Sequence, residues 1–188
     1  MLGKENVFPL TSINSLNCSD IKLPLVPSKQ VKEELNIRDV GKYSGIRKRN
    51  TSDQDKARFR IDIQNVLKGI DQRTTVMVRN IPNKYTQKML LEAIDTSFIG
   101  CYNFVYLPID FKNKCNVGYA FVNFKHWSTI VPFCNEFEGK KWTRFNSEKV
   151  CSIAYARLQG LPSLIDHFKT SSVMAQLDPR IKPVILLN

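Results

Sequence analysis

Residues 117–124 decide the fold, and they read Val117-Gly118-Tyr119-Ala120-Phe121-Val122-Asn123-Phe124. As a β-strand, this stretch directs alternate side chains to opposite faces. One face carries Ala120, Val122 and Phe124, which suit a packed core. The other carries Tyr119, Phe121 and Asn123. Because neither face has the polar residues that usually meet water, either both faces are buried or the aromatic face is a binding platform.

The segments around this strand predict an α+β domain. Residues 74–81, 102–108 and 150–157 predict further strands, and 86–96 and 128–137 predict helices from apolar residues at helical spacing. The order β-α-β-β-α-β is the ferredoxin-like arrangement, in which two helices cover one face of the sheet. The outward side chains of the strands should meet on the open face: Met77, Arg79, Phe104, Tyr106, Tyr119, Phe121 and Asn123.

The flanking segments divide the chain into four parts. Residues 1–51 predict a disordered basic arm, and 52–70 predict one amphipathic flanking helix that starts with a capping box of Ser52 and Asp55. The ferredoxin-like domain follows at 71–158. A C-terminal extension at 159–188 begins with a helix near Pro162 and ends in an apolar tail. The extra helix would cover either the sheet edge or part of the open face.

The charge balance favours a polyanionic partner. Twenty-eight Lys and Arg against 17 Asp and Glu give a net charge of +11, which suits a nucleic acid or an anionic membrane surface. No apolar run is long enough to span a bilayer, and the first residues lack the order of a secretory signal. Five cysteines without a C-x-x-C spacing argue against disulfides or zinc and for a reducing compartment, nuclear or cytoplasmic. Cys134 and Cys151 are interpreted as small core residues.

An open aromatic face suits single-stranded RNA, whose unstacked bases regain stacking on side-chain rings. Tyr119 and Phe121 are the main candidates for stacking, with Phe104, Tyr106 and Met77 secondary. Candidate phosphate contacts lie at strand ends and in loops: Arg79, Lys84, Lys112, Lys114 and Arg157. Asn80 and Asn123 would either recognise base edges or satisfy turns and backbone. For the two main rings, the alternative is cover by the terminal helices or by another protein.

A series of motifs carries a family resemblance from about residue 61 onward. The matching pieces are Gly69-x-Asp71-x-Arg73-Thr74-Thr75, residues 77–86 and 89–90, residues 106–123, Gly139-Lys140-Lys141-Trp142, residues 145–150 and Ala154-Tyr155-Ala156-Arg157. In these pieces the chain resembles the C-terminal RNA recognition motif (RRM) of the Mei-two-like proteins, a eukaryotic family tied to meiosis and development. Residues 117–124 also meet six of the seven defined positions of the longer RRM consensus, failing only at Val117.

The resemblance implies RNA binding and makes Met77 and Val117 typical of the subfamily. Such proteins usually carry further RRMs upstream, and the arm at 1–51 is too short and polar to hold one, so a meiotic role is a weak implication. The second hypothesis is a protein-interaction module, with a partner on the open face, the helices or the N-terminal arm. An enzyme is the poorest hypothesis, because His126 and His167 have no nucleophile or metal cluster beside them. No cofactor is expected.

Overall fold

The computed structural model describes residues 53–110 and 112–186. The predicted arm at 1–51 and Ser52 of the predicted capping box lie outside the described residues. The helices are α1 (Asp53–Phe59), α2 (Ile63–Leu67), α3 (Gln87–Phe98), α4 (Ile130–Phe137) and α5 (Leu161–Lys169). The strands are β1 (Thr75–Arg79), β2 (Tyr102–Tyr106), β3 (Ile109–Asp110), β4 (Cys115–Asn116), β5 (Tyr119–Phe124), β6 (Ser152–Tyr155) and β7 (Val184–Ile185).

The main sheet has the strand order β6-β1-β5-β2-β7, and every pairing in it is antiparallel. β3 and β4 form a separate hairpin between β2 and β5. The predicted β-α-β-β-α-β order and the α+β fold class are confirmed. The strand of residues 117–124 lies at the centre as β5, which accounts for its lack of a polar face.

One face of the sheet packs on α3 and α4. Val76, Val78 and Val122 point into this core and meet Leu90, Ile94, Ile130 and Phe133 from the helices. α3 begins at Gln87, one residue after the predicted start at 86, because Thr86 is its N-cap and its hydroxyl accepts a hydrogen bond from the Met89 amide. Cys134 and Cys151 lie in the same core, and burial raises the pKa of each to about 12. Both thiols therefore stay protonated and pack as small apolar groups, which confirms that interpretation.

The predicted single flanking helix over 52–70 is wrong. It is two short helices, because the Asp62 carboxylate accepts the amides of Gln64 and Asn65 and so starts a new helix at Ile63. α2 ends at Lys68 and Gly69, whose φ of 67° suits glycine. Its apolar stripe is also narrower than predicted: Val66 is buried, but Leu67 and Ile70 are 58% and 70% exposed.

The C-terminal extension returns to the sheet in two places. α5 lies on the face opposite α3 and α4, where Leu164 and Phe168 pack against β2. The tail then adds β7 beside β2, with Phe104 opposite Ile185. The docking position of the apolar tail, which the sequence left open, is thus the outer edge of the sheet.

Candidate nucleic-acid interface

Tyr119 and Phe121 lie on the face of β5 that points away from α3 and α4. Pairing with β1 sets Tyr119 opposite Arg79 and Phe121 opposite Met77. The two rings meet edge to face, with centroids 5.7 Å apart and planes at 76°. Both side chains are half-buried, as is that of Met77, and Arg79 is exposed. The sheet therefore brings these four predicted residues together at its centre.

The neighbouring strand β6 carries only small side chains on this face of the sheet. Its pairing with β1 sets Ser152 opposite Arg79 and Ala154 opposite Met77. Both side chains are small, so they form a shallow floor beside Met77 and do not rise over the two rings. We call the surface of Met77, Arg79, Tyr119, Phe121 and Ser152 the open platform; Ala154, which is only 8% exposed, is buried opposite Met77.

Phe104 and Tyr106 are not part of the open platform, which corrects their prediction as secondary stacking residues. They point to the same side as Phe121 but lie beneath α5, with 0% and 8% of their surfaces exposed. The Phe168 ring lies 5.5 Å from that of Phe104. Burial raises the pKa of Tyr106 to about 12, and the adjacent Tyr119 adds to the rise. The cause is the amphipathic α5, which buries its own apolar side on these rings.

The prediction of Asn123 as an RNA-binding residue is also corrected, because Asn123 is 2% exposed and both ends of its side-chain amide are hydrogen-bonded inside the protein. Its amide oxygen accepts from the hydroxyls of Thr74 and Thr75 at 2.9 and 2.7 Å. Its amide nitrogen donates to the Asn103 side chain at 2.7 Å and to the Phe124 carbonyl. Asn123 therefore joins β1, β2 and β5 and offers no group to a base.

For Asn80, the structure is compatible with both predicted roles, recognition of a base edge and stabilisation of a turn. It follows β1 with a φ of 61°, a left-handed conformation that asparagine tolerates better than most residues. Its amide nitrogen donates to the Val150 carbonyl at 2.9 Å and so connects the loop after β1 to the loop before β6. The residue is nevertheless exposed next to Arg79.

Most of the predicted phosphate contacts gather at one end of the sheet. β1 ends there with Arg79, Lys84 follows in the next loop, and Lys112 and Lys114 lie in the hairpin before β5. All four are exposed, and within the described residues none of them is in a salt bridge. Arg157 lies apart, because it follows β6 at the opposite end and its guanidinium is 5.9 Å from the Phe59 ring.

Hydrogen bonds hold the basic hairpin in a defined shape. The Asp110 carboxylate accepts the amides of Lys112 and Asn113 and the side chain of Asn113, and these bonds, chiefly that side-chain bond, lower its pKa. Asn116, which sequence reasoning did not single out, donates to the carbonyls of Pro82, Asn83 and Tyr85. Asn116 thereby joins the hairpin to the loop that carries Lys84.

Two further residues at this end of the sheet were quoted in the family motifs without a role. Lys149 is half-buried, and its ammonium donates to the Ile81 carbonyl at 3.1 Å and to the Asn83 side chain at 2.6 Å. Phe145 is 38% exposed with a φ of 70°. Both line a cleft of about 360 Å³, whose other lining residues are Pro82, Asn83, Lys84, Asn146 and Ser147. In the sequence, only the family motif over residues 145–150 pointed to Phe145 and Lys149.

Neither a metal cluster nor a membrane span emerges from the described part of the chain. No group of three or more His, Cys, Asp or Glu side chains in 53–110 and 112–186 is arranged to hold a metal ion. Within the same ranges, no helix has the length and apolar character needed to cross a bilayer.

Comparison with known proteins places the chain in a family. The family model for RNA recognition motif 2 matches residues 73–169, more than half of the chain. Protein MEI2-like 5 of Arabidopsis thaliana is 58% identical over 138 residues, which cover 72% of this chain and 17% of that relative. Protein MEI2-like 4 of Oryza sativa subsp. japonica is 56% identical over 136 residues, covering 72% and 13%.

The chain thus spans less than a fifth of the length of these two relatives. Among solved structures, it is similar to the Rna15 RRM with bound RNA (GU), with a TM-score of 0.40 and 16% identity over 50% of this chain and 96% of that one. The resemblance to the Mei-two-like proteins is confirmed by the family model and the relatives. The chain belongs to the RNA recognition motif 2 family of RNA-binding modules.

Proposed function

We propose that the open platform binds single-stranded RNA, with Tyr119 and Phe121 stacking bases and Met77 contacting one by dispersion. The observation that carries this proposal is that these two half-buried rings keep part of their surface in solvent beside the exposed Arg79, while their neighbours Phe104 and Tyr106 are covered. A base stacked on an aromatic side chain gains about 1–3 kcal/mol. Two such contacts are enough to orient a short stretch of RNA on the sheet.

The exposed Lys and Arg side chains at the end of the sheet supply the electrostatic part of RNA binding. Arg79 lies directly across the strand pair from Tyr119, so a phosphate next to a base on that ring would be within its reach. Lys84, Lys112 and Lys114 continue the positive surface along the loops. Because none of these cations forms a salt bridge within the described residues, phosphates would displace mainly counterions and water.

The role of the whole protein extends this proposal. A binding platform without a catalytic group suits post-transcriptional regulation, and the likeness to MEI2-like proteins supports a place in meiotic or developmental control of RNA. We infer action in the nucleus, the cytoplasm or both, since the buried, protonated cysteines suit a reducing compartment.

The test is the double variant Tyr119→Ala with Phe121→Ala, titrated against a fluorescent single-stranded RNA. Loss of two stacking contacts should weaken binding by about thirtyfold or more. The conservative pair Tyr119→Phe with Phe121→Tyr keeps both rings and should bind like the wild type. Thermal unfolding of each variant verifies the fold. Equal RNA affinity for the alanine variant and the wild type would contradict the proposal.

The protein-interaction alternative makes a different prediction. It needs a free apolar surface on the open platform or on α4, the second helix of the β-α-β-β-α-β unit. α2 already packs on α4. Exposed Leu67 and Ile70 still offer some apolar surface nearby. Salt separates the two functions: each phosphate contact to single-stranded RNA should contribute about −0.7 to the slope of log K against log salt. A salt-independent affinity for a protein, with no RNA binding, would favour the alternative.

A further inference from the structure

The cleft between Phe145 and Lys149 is separate from the open platform but adjoins it. Lys149 Nζ lies 4.0 Å from the point where a Cβ on Gly118 would stand, and Gly118 immediately precedes Tyr119. The amide of Ile81, in the cleft-lining loop, donates to the Gly118 carbonyl at 2.9 Å. The cleft therefore lies beside the residue that precedes Tyr119, and an RNA strand that continues past the Tyr119 ring toward this end of the sheet would approach it.

Lys149 provides a held cation in the wall of the cleft. Its two hydrogen-bond partners, the Ile81 carbonyl and the Asn83 amide oxygen, are both neutral, so neither of them offsets the positive charge of the side chain. An ammonium has three donor hydrogens, and these partners take two of them. The third is available to an anion, and exposed Lys84 lines the same cleft. This arrangement suits a phosphate, which accepts from several donors at once.

Phe145 provides an aromatic surface on the other side. A bulky residue with φ of 70° is uncommon, and this conformation leaves the ring 38% exposed. The ring rests edge to face on Tyr85, with centroids 5.7 Å apart, and Tyr85 is itself 3% exposed and packed on Trp142. The ring is thus fixed in place with part of its surface in solvent, as a stacking surface requires.

We propose that this cleft binds one further nucleotide of the same RNA strand, with its base against Phe145 and its phosphate at Lys149 and Lys84. The inference rests on the proposed RNA binding by the open platform. The cleft has a volume of about 360 Å³, and its lining combines an aromatic ring, two cations and the side chains of Asn146 and Ser147. A positively charged cleft next to an aromatic ring matches a nucleotide better than an apolar side chain.

The experiment compares two single-stranded RNAs. One has about three nucleotides, the number that the sheet of such a domain stacks, and the other has about eight, within the site sizes of single-strand-binding modules. NMR titration follows the amides of Tyr119 and Phe121 for the platform and those of Phe145 and Ser147 for the cleft. The short RNA should shift the platform amides, and the long RNA should shift both sets.

Phe145→Ala should lower the affinity for the long RNA by about fivefold or more and leave that for the short RNA unchanged. Phe145→Tyr keeps a ring and should retain wild-type affinity. Lys149→Met should reduce the salt slope for the long RNA by about 0.7, with Lys125→Met, at the other end of β5, as its control. Lys149→Arg restores a cation and should restore the slope.

The outcomes separate the two proposals. If Phe145→Ala binds the long RNA as tightly as the wild type does, or if the cleft amides do not shift, the cleft proposal is overturned while the platform proposal stands. If the wild type binds neither RNA, both are overturned. Thermal unfolding of each variant shows whether a loss of affinity comes from loss of the fold, and Phe145→Tyr decides the case if Phe145→Ala is unstable.

Discussion

The ring of Phe168 meets that of Tyr106 edge to face, with centroids 4.7 Å apart and planes at 73°. This contact connects α5 to β2 and divides the aromatic face of the sheet in two. On the β2 side, Phe104 and Tyr106 are buried with the helix. At the centre, Tyr119 and Phe121 are only half-buried, although Phe121 also packs against this buried group. The position of α5 therefore determines how many rings RNA can reach.

Phe168→Ala should destabilise the protein by about 3–5 kcal/mol, because a ring that is 5% exposed leaves a cavity over β2. Urea unfolding measures this loss. Lys169→Ala, at the next position, removes only an exposed ion pair with Asp166 and should change the free energy of unfolding by less than about 0.5 kcal/mol. Similar stabilities for the two variants would show that α5 is not docked on the sheet.

Gln159→Glu should loosen α5 without touching a ring. The Gln159 side chain accepts from the amides of Thr74 and Thr75 at 3.1 and 2.9 Å and donates to the carbonyls of Thr75 and Ala156 at 2.8 Å each. A glutamate keeps the oxygen that accepts from the two threonine amides. It replaces the donating nitrogen by an oxygen that faces the carbonyls of Thr75 and Ala156, which should lower the free energy of unfolding by about 1–3 kcal/mol.

The measurement for Gln159→Glu is amide hydrogen exchange, which should quicken in α5 relative to the wild type. Gln64→Glu, on the exposed side of α2, introduces the same charge and should leave α5 unchanged. Unaltered exchange in α5 of the Gln159 variant would contradict a role for this side chain in holding the helix.

Asn123→Ala should act on stability and not on base preference. Removing the side chain leaves the Asn103 amide oxygen without its 2.7 Å donor and two threonine hydroxyls without their acceptor, which should cost about 1–3 kcal/mol. Asn135→Ala, on the exposed side of α4, is the control and should be nearly neutral. If Asn123→Ala changed the base preference and left the free energy of unfolding unchanged, Asn123 would have to contact RNA directly.

His167 should make the docking of α5 weaker in acid. Both ring nitrogens are buried without a hydrogen-bond partner among the described residues, and burial lowers the pKa of His167 below its ordinary value of 6.5. The folded state therefore favours the neutral ring, so this contribution to stability is present above pH 6.5 and is lost as the pH falls through the lowered pKa.

Two variants of α5 test this pH dependence. His167→Leu should flatten the decline of unfolding free energy below pH 6.5, since leucine does not titrate. Ser163→Ala, at an exposed position of the same helix, changes no titratable group and should retain the wild-type decline. An identical pH profile for His167→Leu and the wild type would exclude His167 as the source.

Much of the fold was predictable because its signals are local. Alternation along β1 and β5 assigned Val76, Val78 and Val122 to the core, and the Thr86 cap marked the start of α3. The helix over 52–70 was wrong for a local reason as well: the Asp62 side chain competes for backbone amides, and apolar spacing does not show where that competition succeeds.

The sequence by itself determined that aromatic side chains from neighbouring strands face one side of the sheet, because side chains alternate with a period of two. Only the tertiary structure decided which of them remain reachable. Phe104, Tyr106, Tyr119 and Phe121 share the same pattern, yet α5 covers the first two. The cleft between Phe145 and Lys149 likewise depends on loops far apart in the chain. Burial and concavity arise from long-range contacts that no local period encodes.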